Sequence, residues 1–126
     1  MAVPEQLLYS KEHEWVKIAG DTAIVGITDY AQNALGDIVY VELPKVGAKV
    51  EQGGNVGVIE SVKAVSDLFT PISGEVVEVN PKLDIDPAVV NKDPYGEGWL
   101  LKLRPGNSGD TRNLLSAAEY EKIATD

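Results

Sequence analysis

The sequence predicts a mainly β protein, and three observations carry that prediction. Apolar residues alternate with polar ones or run in short β-branched stretches, Gly and Pro interrupt the chain at short intervals, and helical patterning is confined to the region near residue 30 and to the C-terminus. With 126 residues the chain fits one domain, expected to span 1–126.

The elements follow in order. Glu14-Trp15-Val16-Lys17-Ile18 alternates polar and apolar, Gly20-Asp21 supplies a turn, and Thr22-Ala23-Ile24-Val25-Gly26-Ile27 returns, which predicts a hairpin. Thr28 is placed to cap a short helix over 29–35: Asp29 sits in the first turn against the positive helix end, Ala31, Ala34 and Leu35 are its apolar positions, and Gly36 is its exit. Residues 37–43 are rich in β-branched side chains and stop at Pro44, so a well-buried strand is expected. Residues 98–104 predict another strand, ended by Pro105-Gly106, with 107–109 as a linker. Asp110 is placed to cap one further helical turn at Leu114 and Leu115. Ser116-Ala117-Ala118-Glu119 matches a capping box, in which serine and glutamate satisfy each other's orphan backbone donors, and a terminal helix through Ile123 is expected. Residues 44–51 and 71–78 share the pattern P-x-x-G-x-x-V-E, which points to two related β units and a paired, pseudo-symmetric sandwich.

Composition narrows function by exclusion. Hydrophobic residues make up 44% and charged residues 25%, ordinary for a soluble protein with a core, so disorder is excluded. With 20 acidic against 11 basic residues the formal charge is −9, which repels nucleic acid and anionic membrane over a Debye length of ~8 Å. No stretch approaches the ~18 apolar residues a membrane span needs, and the first six residues lack the apolar core of a secretory signal, so the protein is expected to stay where it is made. The absence of cysteine removes thiol catalysis and thiolate metal sites, and a lone His13 removes a multi-histidine metal site. Asp84, Asp86 and Asp93 lack the spacing of a calcium loop, and Pro87 intervenes, so no metal is expected. His13 is read as a structural hydrogen-bonding residue, since nothing pairs it with a nucleophile, and Trp15 and Trp99 as packing residues.

One segment is constrained by length. Residues 55–70 contain no proline and only Gly57 as a breaker, so local propensity permits one long strand. Extended at ~3.3 Å per residue they would cover roughly 50 Å, beyond the ~36 Å diameter of a compact chain of this size. The segment must reverse, and the polar centre Glu60-Ser61-Val62-Lys63 is the place, because a reversal leaves backbone groups that need water. Lys63 then lies on or beside an exposed tip, where the plain alternative is an ordinary solvated lysine. Val62 and Ala64 flank it without the Asn-Gly or Asp-Gly that an easy two-residue hairpin selects.

Residues 60–67, Glu-Ser-Val-Lys-Ala-Val-Ser-Asp, followed by Pro71-Ile72-Ser73-Gly74-Glu75-Val76, resemble the lipoylation site of the glycine cleavage system H protein family. The resemblance extends through His13-Glu14-Trp15-Val16, Gly26-Ile27-Thr28-Asp29-Tyr30-Ala31-Gln32, Leu35-Gly36-Asp37, Val41-Glu42-Leu43-Pro44, Asp93-Pro94-Tyr95-Gly96-Glu97-Gly98-Trp99 and Ala118-Glu119-Tyr120, nearly the whole chain. It implies a barrel-sandwich hybrid of the lipoyl/biotinyl-like hammerhead type, with lipoic acid in amide linkage to Lys63. It implies a carrier without catalytic residues of its own, serving a pyridoxal-phosphate glycine decarboxylase, a tetrahydrofolate-dependent aminomethyltransferase and a flavin-containing dihydrolipoyl dehydrogenase, after modification by a lipoate-attaching enzyme. The aminomethyl intermediate and reducing equivalents would pass between these partners. The family's cleft for the loaded arm maps onto Glu14 and Asp67, with Glu12 and Thr70 as neighbours. A solvated surface carboxylate is the alternative for each acid. A monomer is expected, in the cytoplasm, or in the mitochondrion for a processed eukaryotic chain. Biotinyl domains fit worse, lacking here the methionines that flank their lysine, as do the shorter lipoyl domains of 2-oxoacid dehydrogenases with Asp-Lys-Ala. A relay that passes lipoyl groups to other enzymes, and a plain acidic interaction module with an unmodified lysine, stay open at the level of sequence.

Overall fold

The alternating N-terminal segments form one side of the larger of two antiparallel sheets. In the computed structural model, which describes residues 2–124, β1 (Leu8–Tyr9), β2 (Glu14–Ala19) and β3 (Thr22–Ile27) run up and down. With β5 (Lys49–Val50), β8 (Gly74–Val79) and β9 (Leu101–Pro105) they make a six-stranded sheet in the order β1-β2-β3-β9-β8-β5. The second sheet has β4 (Ile38–Glu42) and β7 (Val65–Phe69) on either side of β6 (Asn55–Ser61). Val25, Val76, Leu101 and Leu103 from the first sheet meet Ile38, Val41, Ile59 and Leu68 from the second in one apolar core. A smaller cluster of Leu7, Tyr9, Trp15, Ala117 and Tyr120 pins the C-terminal helix to the N-terminal strands. The expected β2–β3 hairpin is present, with Gly20 at φ 65 in its turn, where a Cβ would be strained.

Both expected caps are made. Thr28 accepts the Ala31 N–H at 3.2 Å and opens α1 (Asp29–Leu35), which ends at Gly36. Ser116 and Glu119 complete the capping box of α4 (Ala117–Glu121), whose last turn continues to Ile123.

Other expectations are corrected. Helices are not confined to residue 30 and the C-terminus: α2 (Lys82–Ile85) and α3 (Val89–Lys92) form a helical insert between β8 and β9. Each is a single turn beside Pro81 or Pro87, too short to show a period, and each buries one residue, Leu83 or Val90. The strand at 37–43 is not well buried; Ile38 and Val41 point inward, but Val39 and Tyr40 are 53% and 49% exposed. β4 lies at a sheet edge with a bulge between Ile38 and Tyr40, so its β-branched run faces outward as well as in. The strand expected from residue 98 begins at Leu101, because the chain at Gly98 runs against α3, where a Cβ would lie 2.8 Å from Val90 Cα. The linker and the turn at Leu114 and Leu115 are replaced by a 3-10 helix, Ser108–Asn113, capped by the side chain of Asn107. Asp110 accepts the Ser73 N–H at 2.7 Å instead of capping residues 114–115. The two P-x-x-G-x-x-V-E segments lie side by side, Lys49 opposite Glu75 and Val50 opposite Gly74. They are unequal, a two-residue edge strand against a six-residue inner one, so the echo marks a shared turn-then-strand grammar between partners.

Candidate functional site

The reversal demanded by chain length falls where expected. β6 and β7 pair with Glu60 opposite Val65, leaving Val62 and Lys63 at the turn, where Ser61 N–H donates to the Ala64 carbonyl at 2.8 Å. Neither central residue has positive φ, the route Asn-Gly would take; among the described non-glycine residues only His13 does. The turn is instead closed by side-chain and neighbouring groups. Ser61 Oγ accepts the Ala64 N–H at 3.0 Å, and the Val62 N–H donates to the Asp37 carbonyl at 3.0 Å. Lys63 is exposed, and among the described residues no hydrogen bond or ion pair engages its Nζ. A free primary amine at a protruding tip is what an attaching enzyme must reach, so the residue fits a covalent amide-linked group.

At the far end of β7 lies a groove of about 230 Å³ whose lining includes Glu12, Glu14, Phe69, Thr70 and Leu114. Glu14 is 2% exposed, and Ser10 Oγ donates to its Oε1 at 2.6 Å. Burial pushes the Glu14 carboxyl up to about 7, against the opposing pull of the Ser10 hydroxyl and the Phe69 backbone. No cation compensates it: the described ion pairs are Lys82–Glu97, Lys102–Glu78 and Arg104–Glu75, and Lys11 on the groove's rim joins none. Thr70 is buried and spends its hydroxyl on the Ile72 carbonyl at 2.7 Å, so it builds the wall.

Of the four cleft residues expected, Glu12, Glu14 and Thr70 share this groove and Asp67 does not. Asp67 is exposed on the outer face of β7, in the alternating row Val65, Asp67, Phe69. That row runs from the Lys63 tip to the groove, a path of about 20 Å at ~3.3 Å per residue. Asp67 lies along the path, and Ser10 and Phe69, which the sequence reading missed, lie at its end; nothing in their local pattern singles them out.

The turn that delivers Glu12 and Glu14 is held through His13. Its φ of 70 is a conformation usually left to glycine, and its ring lies 4.7 Å from Tyr30 and shares a 2.8 Å hydrogen bond between Nδ1 and the Tyr120 hydroxyl. The structural reading of His13 therefore stands. Trp15 is buried with Nε1–H donating to the Pro94 carbonyl at 3.0 Å, while Trp99 is half-buried beneath Lys102. A larger groove of about 450 Å³ beside Lys49, Glu75 and Arg104 is lined by neither Lys63 nor any of the four expected cleft residues, and its charged walls are solvent-facing.

With this geometry in place, the family model described as glycine cleavage H-protein matches residues 7–126. The chain belongs to the H-protein family. It is similar to the glycine cleavage system H protein of Bacteroides fragilis, 54% identical over 123 residues and 98% of each chain. It is equally similar to that of Thermus thermophilus, 54% identical over 123 residues, covering 98% of this chain and 96% of the relative. The crystal structure of an H protein from Mycobacterium marinum matches with a TM-score of 0.86 and 44% identity, over 95% of this chain and 97% of the other. H-proteins are the lipoyl-carrier family of the glycine cleavage system, and the two antiparallel sheets with short helices are the architecture that membership implies.

Proposed function

We propose that this H-protein works as a single-domain carrier, residues 1–126, with lipoic acid held in amide linkage by Lys63 Nζ. The observation that carries the proposal is the placement of Lys63: an exposed, unengaged amine at the turn between two paired strands. When attached, the group would supply a dithiolane whose disulfide could open to carry an amine-bearing one-carbon unit on one sulfur and, once that unit has left, hold the two electrons as a dithiol. The chain's own part is to hold, orient and shield. β6 and β7 present Lys63 as the root of a tethered arm, which keeps cargo at high effective concentration at each docked partner. Those partners are the glycine decarboxylase, the aminomethyltransferase, the dihydrolipoyl dehydrogenase and the lipoate-attaching enzyme, met by a monomer in the cytoplasm, the compartment proposed from its bacterial relatives.

Between visits Glu14 receives the cargo's ammonium. It is a buried carboxyl without a cation, opening on a groove, so an incoming cation supplies the counter-charge that the fold leaves out. Glu12 adds negative potential at the rim, Ser10 fixes one carboxyl oxygen, and Phe69 and Thr70 limit water. Asp67 guides the cation along β7.

Intact mass measurement on protein purified from its own cells tests the proposal. A lipoyl-sized increment on the peptide containing Lys63, absent from Lys63→Arg, and loss of glycine cleavage by that variant in the system rebuilt with its other three components are expected. Full activity of Lys63→Arg overturns the carrier assignment. Glu14→Ala is expected to speed hydrolytic loss of the amine-bearing cargo; an unchanged release rate removes Glu14 from its role.

A further inference from the structure

The tip of the lysine hairpin leans on the corner between α1 and β4. Besides the bond from Val62 N–H to the Asp37 carbonyl, the stem of Lys63 crosses Gly36, where a Cβ would come within 3.3 Å of Lys63 Cε and 3.8 Å of its Cδ. Gly36 has φ +82, so a side chain there is opposed by its own backbone conformation as well as by the lysine.

A third element holds this corner. Asn91 of α3 accepts the Ile38 N–H on Oδ1 at 2.9 Å, and its amide nitrogen donates to the Gly36 carbonyl at 2.8 Å and to Gln32 Oε1 at 3.0 Å. One half-buried side chain thus bonds both residues that flank Asp37, whose carbonyl receives the hairpin tip. Few side chains can replace it: aspartate keeps the acceptor and loses both donors, and serine is too short to reach all three partners.

A lysine standing free in water samples many rotamers, and an enzyme that captures it must order it at that moment, which weakens capture. We propose that Asn91 and Gly36 are positioning residues for Lys63. Asn91 fixes the corner, the corner fixes the tip through Asp37, and Gly36 leaves a bare floor for the stem, so the amine is offered over a narrow range of directions. The purpose of this device rests on the carrier reading; its geometry does not. It gives the α2–α3 insert a role at the attachment site, on the opposite side of the lysine's corner from β6 and β7.

The test uses the full-length unmodified protein with 13C-labelled lysine. Side-chain relaxation at Cε is expected to show Lys63 more ordered than Lys45, an exposed lysine in the loop before β5. Asn91→Ser and Gly36→Ala should each erase that difference, and the Val62 amide should exchange about tenfold faster in Asn91→Ser. In acylation by a lipoate ligase with lipoate and ATP, KM for the protein should rise about three- to tenfold in both variants with kcat within about twofold. Asn91→Asp should fall between parent and Asn91→Ser. The proposal is overturned if Lys63 in the parent protein is as mobile as Lys45, or if the variants melt earlier while Lys63 order and KM stay unchanged. Failure of the ligase to modify Lys63 in the parent protein would refute the carrier reading instead, and the relaxation measurement would still judge the geometry.

Discussion

At Glu14 burial and ionisation pull in opposite directions. Its carboxyl is raised from 4.5 to about 7 by burial, so below about pH 4.5 it is neutral in both the folded and the unfolded chain, and between those values the unfolded chain ionises first. The folded state therefore loses stability as pH rises through this window. Glu14→Gln, neutral throughout, should gain on the parent protein from pH 4.5 to 7 by on the order of 3 kcal/mol and then level off. Paired thermal melts across that range check this, and a difference that does not grow with pH contradicts it. Close approach dominates at Gly26: a Cβ there would lie 2.6 Å from the Trp15 indole. Gly26→Ala should displace the ring from its bond to Pro94, costing about 1–3 kcal/mol, read by denaturant titration together with tryptophan fluorescence.

Among the elements, α4 shows how a helix too short to persist alone is kept. Five residues cannot offset the cost of helix nucleation, so the capping box and the anchor at Tyr120 must do so. Tyr120 is fully buried, stacks on Tyr9 at 4.7 Å, and its hydroxyl meets both His13 Nδ1 and Thr28 Oγ1, the latter at 2.7 Å. Burial pushes its hydroxyl up to about 12, so it stays neutral at physiological pH. Ser116→Ala should cost ~1 kcal/mol by loss of the cap. Tyr120→Phe should cost more, about 1–3 kcal/mol, because buried Thr28 and half-buried His13 each lose a bond. Equilibrium unfolding ranks the two variants, and the reverse order would show that the cap outweighs the anchor.

For the whole molecule the excess of acid is the unbalanced force. A charge of −9 faces three ion pairs among the described residues, all at the surface and each worth little. Self-repulsion then destabilises the compact state, and screening relieves it. Raising NaCl from about 10 mM to about 150 mM, which shortens the Debye length from ~30 Å to ~8 Å, should raise Tm by a few degrees. A Tm that falls or stays flat would show that the acids are far enough apart to ignore one another.

Much of this protein is local in origin, and that part is legible in the chain. The hairpin at 14–27, the Thr28 cap with its Gly36 exit, the capping box at Ser116 and the reversal at Lys63 each follow from residues within a few positions of one another, or from the reach of an extended chain against a compact diameter. Tertiary structure alone decided the rest. Glu12 and Glu14 meet Phe69 and Thr70, His13 meets Tyr120 across 107 positions, and Asn91 reaches Ile38 across 53. The same holds for α2 and α3, single turns whose stability comes from burying Leu83 and Val90. Contacts between distant segments depend on how two sheets pack and which side chains that packing leaves partnered, and such facts leave no period or spacing along the chain.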